Sequence, residues 1–320
     1  MITLSDLRSA QQRLDDVTLH TKLVEFPLCA EDPRRLLLKP ENQQPIGAFK
    51  LRGAYNKISS LPDNERQRGV ISCSSGNHAQ GVAYAARALN VKSVIVMPNN
   101  APAIKREATA KLGAEIVLVG PGSDERKNKA EELAAQHGYI IVPPYNDEKI
   151  IAGQGTIGLE ILEELPDVET VLSPVGGGGL ISGVAAAIKL TNPKVKVIGV
   201  EPELAADAQA SLRQGKIVQF PAEQVSRTLA DGLRTQSIGP INFEHIRAYV
   251  DDIISVNEDE IRQAMKYLCA NSATVAEPSG AVATAGFIFH ATELPQTKLN
   301  VAIISGGNIE PAMLAELRSR

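Results

Sequence analysis

Four short segments carry residue types that could do chemistry. Val175-Gly176-Gly177-Gly178-Gly179-Leu180 sets four glycines between a strand-like run and a helix-like run. Such glycines expose consecutive backbone N–H groups and, at a helix N-terminus, form a nest suited to phosphate. A flexible turn is the plain alternative, although one or two glycines would serve for that. No Gly-Lys-Ser/Thr follows, so the loop is not a Walker A motif. A dinucleotide fingerprint is imperfect, since with Gly176 and Gly178 in place the third glycine falls on Ile181. Glu201 still ends the next strand where a ribose-binding acid would sit, which keeps an NAD oxidoreductase as a rival on this segment.

Ser72-Cys73-Ser74-Ser75-Gly76-Asn77-His78 also follows a strand and opens a helix. Hydroxyls and N–H groups at a helix start can hold a carboxylate. Ordinary capping by Ser75 or Asn77 is the competing account. Ser305-Gly306-Gly307-Asn308 follows a third strand and alone reads as a strand-to-helix turn. Lys50 lies between Phe49 and Leu51 among glycines. A buried lysine of lowered pKa is a nucleophile toward carbonyls, whereas most single lysines are solvated surface residues.

The composition narrows the chemistry. The 320 residues carry 33 Lys+Arg against 37 Asp+Glu, a net charge of −4, which argues against a nucleic-acid protein. No apolar run approaches the ~18 residues of a membrane span, and the first residues show no targeting pattern, so a cytoplasmic protein is expected. Cys29, Cys73 and Cys269 form no CxxC, and the histidines form no HExxH, which excludes a disulfide framework and a zinc protease.

Strands and helices alternate almost throughout. An amphipathic helix opens the chain at Leu4, and a strand covers 35–39. Strands at 70–72, 93–97, 114–119 and 139–142 are separated by helices at 77–89, 102–112 (starting at Pro102) and 123–137. A second series has helix 155–165, strand 169–175, helix 180–190, strand 195–200, a helix near 204–214, strand 253–256, helices 258–270 and 280–290, strand 300–305 and a terminal helix. Short apolar strands with helical crossovers indicate two doubly wound α/β domains with mainly parallel sheets. Ligands of such sheets lie beyond the carboxyl ends of the strands, where three of the four segments fall.

A lysine nucleophile, a phosphate nest and a Ser-Gly-Gly-Asn turn together suit pyridoxal 5′-phosphate. Gly47-Ala48-Phe49-Lys50-Leu51-Arg52-Gly53-Ala54, Ser74-Ser75-Gly76-Asn77-His78-Ala79-Gln80, Ile151-Ala152-Gly153-Gln154-Gly155-Thr156, Gly176–Gly179, Gly199-Val200-Glu201-Pro202-Glu203, Asp231-Gly232 and Ser305-Gly306-Gly307-Asn308 occur in one order. That order resembles the serine/threonine dehydratase and serine racemase family, fold-type II of the pyridoxal-phosphate enzymes, which are similar to the β subunit of tryptophan synthase. The resemblance implies a small domain at 69–146 inserted in a large one made of 1–68 and 147–320, with the cofactor in the cleft. It implies that Lys50 links to the cofactor and removes the α-proton, that Phe49 lies beside the ring, and that Asn77 bonds the ring's 3′-oxygen. Gly176, Gly177, Gly178, Gly179 and Leu180 would hold the phosphate, and Ser305 would face the ring nitrogen. Ser74, Ser75, Gly76, Asn77 and His78 would bind the substrate carboxylate, with Ser75 as the second acid/base of the racemase branch. Glu201, Ala205 and Asp207 match that branch's site for Mg²⁺ or Ca²⁺.

Two positions depart from the racemase branch. Tyr145 stands where that branch has asparagine, and Lys127, with Arg126 beside it, stands where it has a substrate-binding arginine. The expected activity is therefore an ammonia-lyase acting on serine, threonine or 3-hydroxyaspartate, with a serine or aspartate racemase as the alternative. A homodimer is expected. No C-terminal regulatory domain, and so no isoleucine feedback, is expected.

Overall fold

The computed structural model describes residues 1–29, 31–101, 103–120, 122–272 and 274–318. Its strands are β1 (Val24–Phe26), β2 (Arg35–Pro40), β3 (Val70–Cys73), β4 (Ser93–Pro98), β5 (Glu115–Val119), β6 (Ile140–Ile141), β7 (Thr170–Pro174), β8 (Lys196–Pro202), β9 (Asp252–Val256) and β10 (Leu299–Ile304). They form a six-stranded sheet of order β1-β2-β10-β7-β8-β9 and a four-stranded sheet of order β5-β4-β3-β6. All neighbours are parallel except β1 and β2. The chain thus begins in the larger sheet, builds the smaller one, and returns to complete the larger.

Strands β7, β8 and β10 are buried nearly end to end, as parallel strands covered on both faces must be. Helix Pro278–Phe289 packs one face of the larger sheet, with Phe287, Ala281 and Ala285 beside Leu172, Val200 and Ile304. Helices Glu148–Glu164 and Gly179–Thr191 cover the other, where Ile157, Ile161, Ile181 and Val184 meet Val171, Val197 and Val301. The smaller sheet has its own core of Val70, Ile95, Met97, Val82 and Ala86.

Most elements fall within two or three residues of their expected places. One helix starts much earlier than expected, at Glu148 rather than 155. Asp147 caps it, accepting from Lys149 N and Ile150 N at 2.8 and 3.0 Å, and burial overrides the weak helix propensity of Gly153 and Gly155. Helices Lys50–Ser59 and Pro240–Tyr249 and strand β1 had no counterpart in the sequence pattern. The segment near 204–214 is a 3-10 turn, Glu203–Ala205, followed by helix Asp207–Gln214. Pro102, the expected start of the second crossover helix, lies outside the described residues, and that helix spans Ala103–Lys111. No described helix is long and apolar enough to cross a membrane.

Candidate active site

A cavity of about 460 Å³ is lined by Lys50, Ser74–His78, Gly176–Leu180 and Ser305 together. Four segments far apart in sequence thus meet at the carboxyl ends of β3, β7 and β10, joined by the start of helix Lys50–Ser59.

Lys50 reaches the cavity because the preceding turn is stitched to the end of β10. Phe49 N donates to Ser305 O at 3.1 Å, and Gly307 N donates to Gly47 O at 3.0 Å. The Lys50 ammonium sits 5.1 Å from the Phe49 ring centroid and donates to Pro144 O at 2.9 Å. Burial lowers its pKa to about 8, because no carboxylate offsets the loss of water. A substantial fraction is therefore neutral amine near physiological pH, the nucleophilic form.

The glycine loop joins β7 to helix Gly179–Thr191. Gly178 caps that helix at φ +91°, a backbone state that L side chains rarely adopt. Gly177 is required for another reason: a Cβ there would lie 2.3 Å from the Tyr145 ring. Tyr145 packs against the loop, its hydroxyl pKa raised by burial and by the Asp207 charge. The loop lies at a helix N-terminus and lines the cavity, a position suited to an anion.

Ser74, Ser75 and Gly76 lie between β3 and helix Asn77–Ala88. The His78 ring is buried, and its Nε2–H donates to Val142 O at 3.0 Å. Burial, assisted by the Lys50 charge, lowers its pKa to about 3, so it stays neutral. Any contact of His78 with an anion must then come from its main chain. Cys73 also lines the cavity, its thiol held protonated by burial. Arg126 rather than Lys127 lines the wall, while Lys127 is exposed 4.0 Å from Glu131. Ser305 is buried, with only a long 3.4 Å bond from its hydroxyl to Ser279 O among the described residues.

Sequence reading did not find Glu277, whose Oε1 accepts from Asn77 Nδ2 at 2.6 Å within the cavity wall. It stands just before Pro278 at the N-terminus of helix Pro278–Phe289, where its side chain makes no capping bond. Nor did it find Lys105 and Asp231 as partners, 2.9 Å apart and both lining the cavity.

Glu201 and Asp207 form a second, wholly buried group. The Glu201 oxygens accept from Ala208 N and Gln209 N at 3.1 and 2.8 Å. Among the described residues neither Asp207 oxygen has a hydrogen-bond partner. Burial raises the Asp207 pKa to about 7, and the approach of its own N–H and that of Ile238, neither in bonding geometry, offsets only part of this. Burial and the Asp207 charge raise Glu201 as well. Among the described residues no group of three or more His, Cys, Asp or Glu side chains could hold a metal ion. A cation here would need the Ala205 carbonyl and water besides the two carboxylates.

The chain is similar to known proteins over nearly its whole length. The family described as pyridoxal-phosphate dependent enzyme matches residues 15–306. An L-threonine ammonia-lyase of Thermotoga maritima is 46% identical over 98% of this chain and 77% of its own length. An L-threo-3-hydroxyaspartate ammonia-lyase of Saccharomyces cerevisiae is 40% identical over 99% of this chain and 96% of its own. The structure of maize serine racemase superimposes with a TM-score of 0.93 at 35% identity, covering 98% of this chain and 95% of that one.

Proposed function

The chain belongs to the pyridoxal-phosphate dependent enzymes, and from that premise we propose that it is an ammonia-lyase turning a β-hydroxy-α-amino acid into a 2-oxo acid and ammonia. L-Threonine, L-serine and 3-hydroxyaspartate are the candidate substrates, as the relatives named above suggest. The observation that carries the reading is the buried, carboxylate-free Lys50 amine in one cavity with the glycine loop and the Ser74–His78 loop.

The residues fit the cofactor. A Cβ at Gly177 would strike the Tyr145 ring of the cavity wall and one at Gly178 would be strained at its positive φ, so the loop stays slim, and the lowered pKa of Lys50 makes its neutral amine accessible. When bound, pyridoxal phosphate withdraws electrons from the substrate α-carbon and so acidifies its proton. Gly176–Gly179 and Leu180 would hold the phosphate with their N–H groups, Phe49 would lie beside the ring, and Asn77 would donate to its 3′-oxygen. Ser305 offers the ring nitrogen a neutral hydroxyl instead of a carboxylate, which suits prompt loss of a β-substituent. Ser74, Ser75, Gly76, Asn77 and the His78 main chain hold the substrate carboxylate at a helix N-terminus. Lys50 Nζ removes the α-proton. The β-hydroxyl leaves as water, and a water is taken up as ammonia leaves, so the net products are the 2-oxo acid and ammonia.

Ser75 lines the same cavity as Lys50, which supports racemisation as a second activity: one group removes the α-proton and the other returns it on the opposite face. The Asp207 oxygens without partners support a Mg²⁺ or Ca²⁺ site at Glu201, Asp207 and the Ala205 carbonyl. The cation would neutralise two buried carboxylates and so stabilise the fold. The four-stranded unit is read as a small domain at 69–146 within a large one of 1–68 and 147–320. The protein is read as a cytoplasmic homodimer.

Incubating the holoenzyme with threonine, serine and 3-hydroxyaspartate, and measuring 2-oxo acid, ammonia and D-amino acid, tests the reading. Equal amounts of 2-oxo acid and ammonia are expected, exceeding any D-isomer. D-amino acid as the main product would overturn the lyase assignment. Melting in chelator and then in added Mg²⁺ or Ca²⁺ tests the cation: a loss and recovery of stability is expected in the wild type, and none in Asp207→Ala.

A further inference from the structure

Among the described residues, Glu277 is the one buried carboxylate in the cavity wall, and it has no role in the chemistry above. It is 6% exposed, at the start of helix Pro278–Phe289 on the six-stranded side. Asn77 begins helix Asn77–Ala88 on the four-stranded side, so the 2.6 Å bond between them crosses the cleft. The other end of the Asn77 amide is also held: its Oδ1 accepts from Asn308 Nδ2 at 2.8 Å. Asn308 Nδ2 donates as well to Ile46 O at 2.9 Å. Both its protons are then in use, and that nitrogen can meet only an acceptor at Asn77.

A primary amide has two donors on nitrogen. With Oδ1 facing Asn308 and one Nδ2–H facing Glu277, Asn77 keeps one N–H. We propose that Glu277 is the positioning residue for Asn77: its ionised carboxylate and the Asn308 amide lock the Asn77 side chain so that the remaining Nδ2–H is presented to the cofactor ring. This rests on the reading of Asn77 as the donor to that ring.

An ionised carboxylate suits the task because it cannot donate, so a flipped Asn77 would set oxygen against oxygen, a selection that protonation relaxes below about pH 7. The groups facing Glu277 are Asp231, Lys105, Asn77 and the Asn308 N–H. Burial and the Asp231 charge push its pKa up to about 7, against the Asn77 bond, Lys105 and Asn308. Lys105 and Asp231 pair across the cavity mouth at 2.9 Å, so their effects on Glu277 largely oppose each other.

The test uses reconstituted holoenzymes of the wild type, Asn77→Ala, Glu277→Leu and Glu277→Gln. Cofactor dissociation constants and the position of the visible cofactor band are measured from pH 6 to 9. Asn77→Ala is expected to weaken cofactor binding about tenfold, the size of one hydrogen bond, and to move the band. Glu277→Leu should reproduce most of that loss, and combining it with Asn77→Ala should add little. Glu277→Gln, which retains an acceptor, should stay within about threefold of the wild type while losing the band's pH dependence near 7. A folded Glu277→Leu with wild-type affinity and band overturns the proposal. Should Glu277→Leu not fold, a Glu277→Gln enzyme with the wild-type pH dependence overturns it. If Asn77→Ala alone changes nothing, the reading of Asn77 fails first and takes the proposal with it.

Discussion

Two cations on one helix, Lys50 and Arg52, meet opposite fates. Arg52 is fully buried, with both carboxylates of its cluster in reach: Glu41 at 2.7 Å and Glu160 at 2.6 Å. Lys39 joins Glu160 at 2.5 Å, so two cations face two carboxylates. Thr21 and Thr156 take up further hydrogen bonds. The carboxylates hold Arg52 charged and the cations hold Glu41 below its usual range. Lys50, two residues earlier, has only the Pro144 carbonyl among the described residues, and its pKa falls to about 8. Arg52 is fully buried and Lys50 half-buried, and both lose hydration, so loss of water does not by itself mark function. A buried titratable group left without a charge partner does, and Lys50, Glu277 and Asp207 all belong to that class.

The contrast predicts opposite outcomes for neighbouring substitutions. Lys50→Ala should reduce 2-oxo acid formation by about a thousandfold or more, while the melting temperature of the apoprotein stays the same or rises. Arg52→Met should do the reverse in order of cause. It strands two carboxylates with Lys39 alone and should cost about 3–5 kcal/mol in denaturant unfolding. If Lys50→Ala unfolds the protein while Arg52→Met leaves it intact, the contrast is broken.

His78 sharpens the same point through pH. Its native pKa is about 3, against 6.5 for a free histidine. The unfolded chain therefore takes up a proton first as pH falls. The contribution is full above pH 6.5 and is lost progressively down to about pH 3. Relative to His78→Gln, the wild type should lose about 4 kcal/mol of stability across that window. Parallel unfolding curves for the two proteins from pH 7 to 4 would show that His78 titrates normally.

The smallest expected effect concerns the glycine loop. Gly177→Ala drives a methyl into the Tyr145 ring. It should cost about 1–3 kcal/mol, read mainly as weaker binding of the cofactor and of inorganic phosphate. Tyr145→Ala in the same chain should restore much of that binding. No rescue would mean that the loop glycines serve something other than space for Tyr145.

The parts of the site legible in the sequence were those that a local rule governs. Glycines and hydroxyls after apolar strands fall at the carboxyl ends of a parallel sheet whatever else the chain does, which is why Gly176–Gly179, Ser74–Asn77 and Ser305 could be picked out. Alternation of strands and helices likewise indicated both sheets. The rest depends on long-range contacts. Glu277 meets Asn77 across 200 residues, and Arg52 meets Glu160 across 108, pairings that no local pattern encodes. Whether a lysine is solvated, paired or stranded is equally invisible in a local pattern, so Lys50 could be singled out only through its company of motifs, and the partners of Arg52 could not be read at all. The early start of helix Glu148–Glu164 was hidden because its glycines read as breaks, although close packing in the interior permits them.

The central claim is that Lys50 is the stranded amine that anchors the cofactor. Borohydride reduction of the holoenzyme, followed by peptide mass mapping, tests it most directly. The account predicts one pyridoxyl group per chain, on Lys50. A group on Lys39, Lys57 or Lys105 instead, or a reduced protein carrying none, would contradict it.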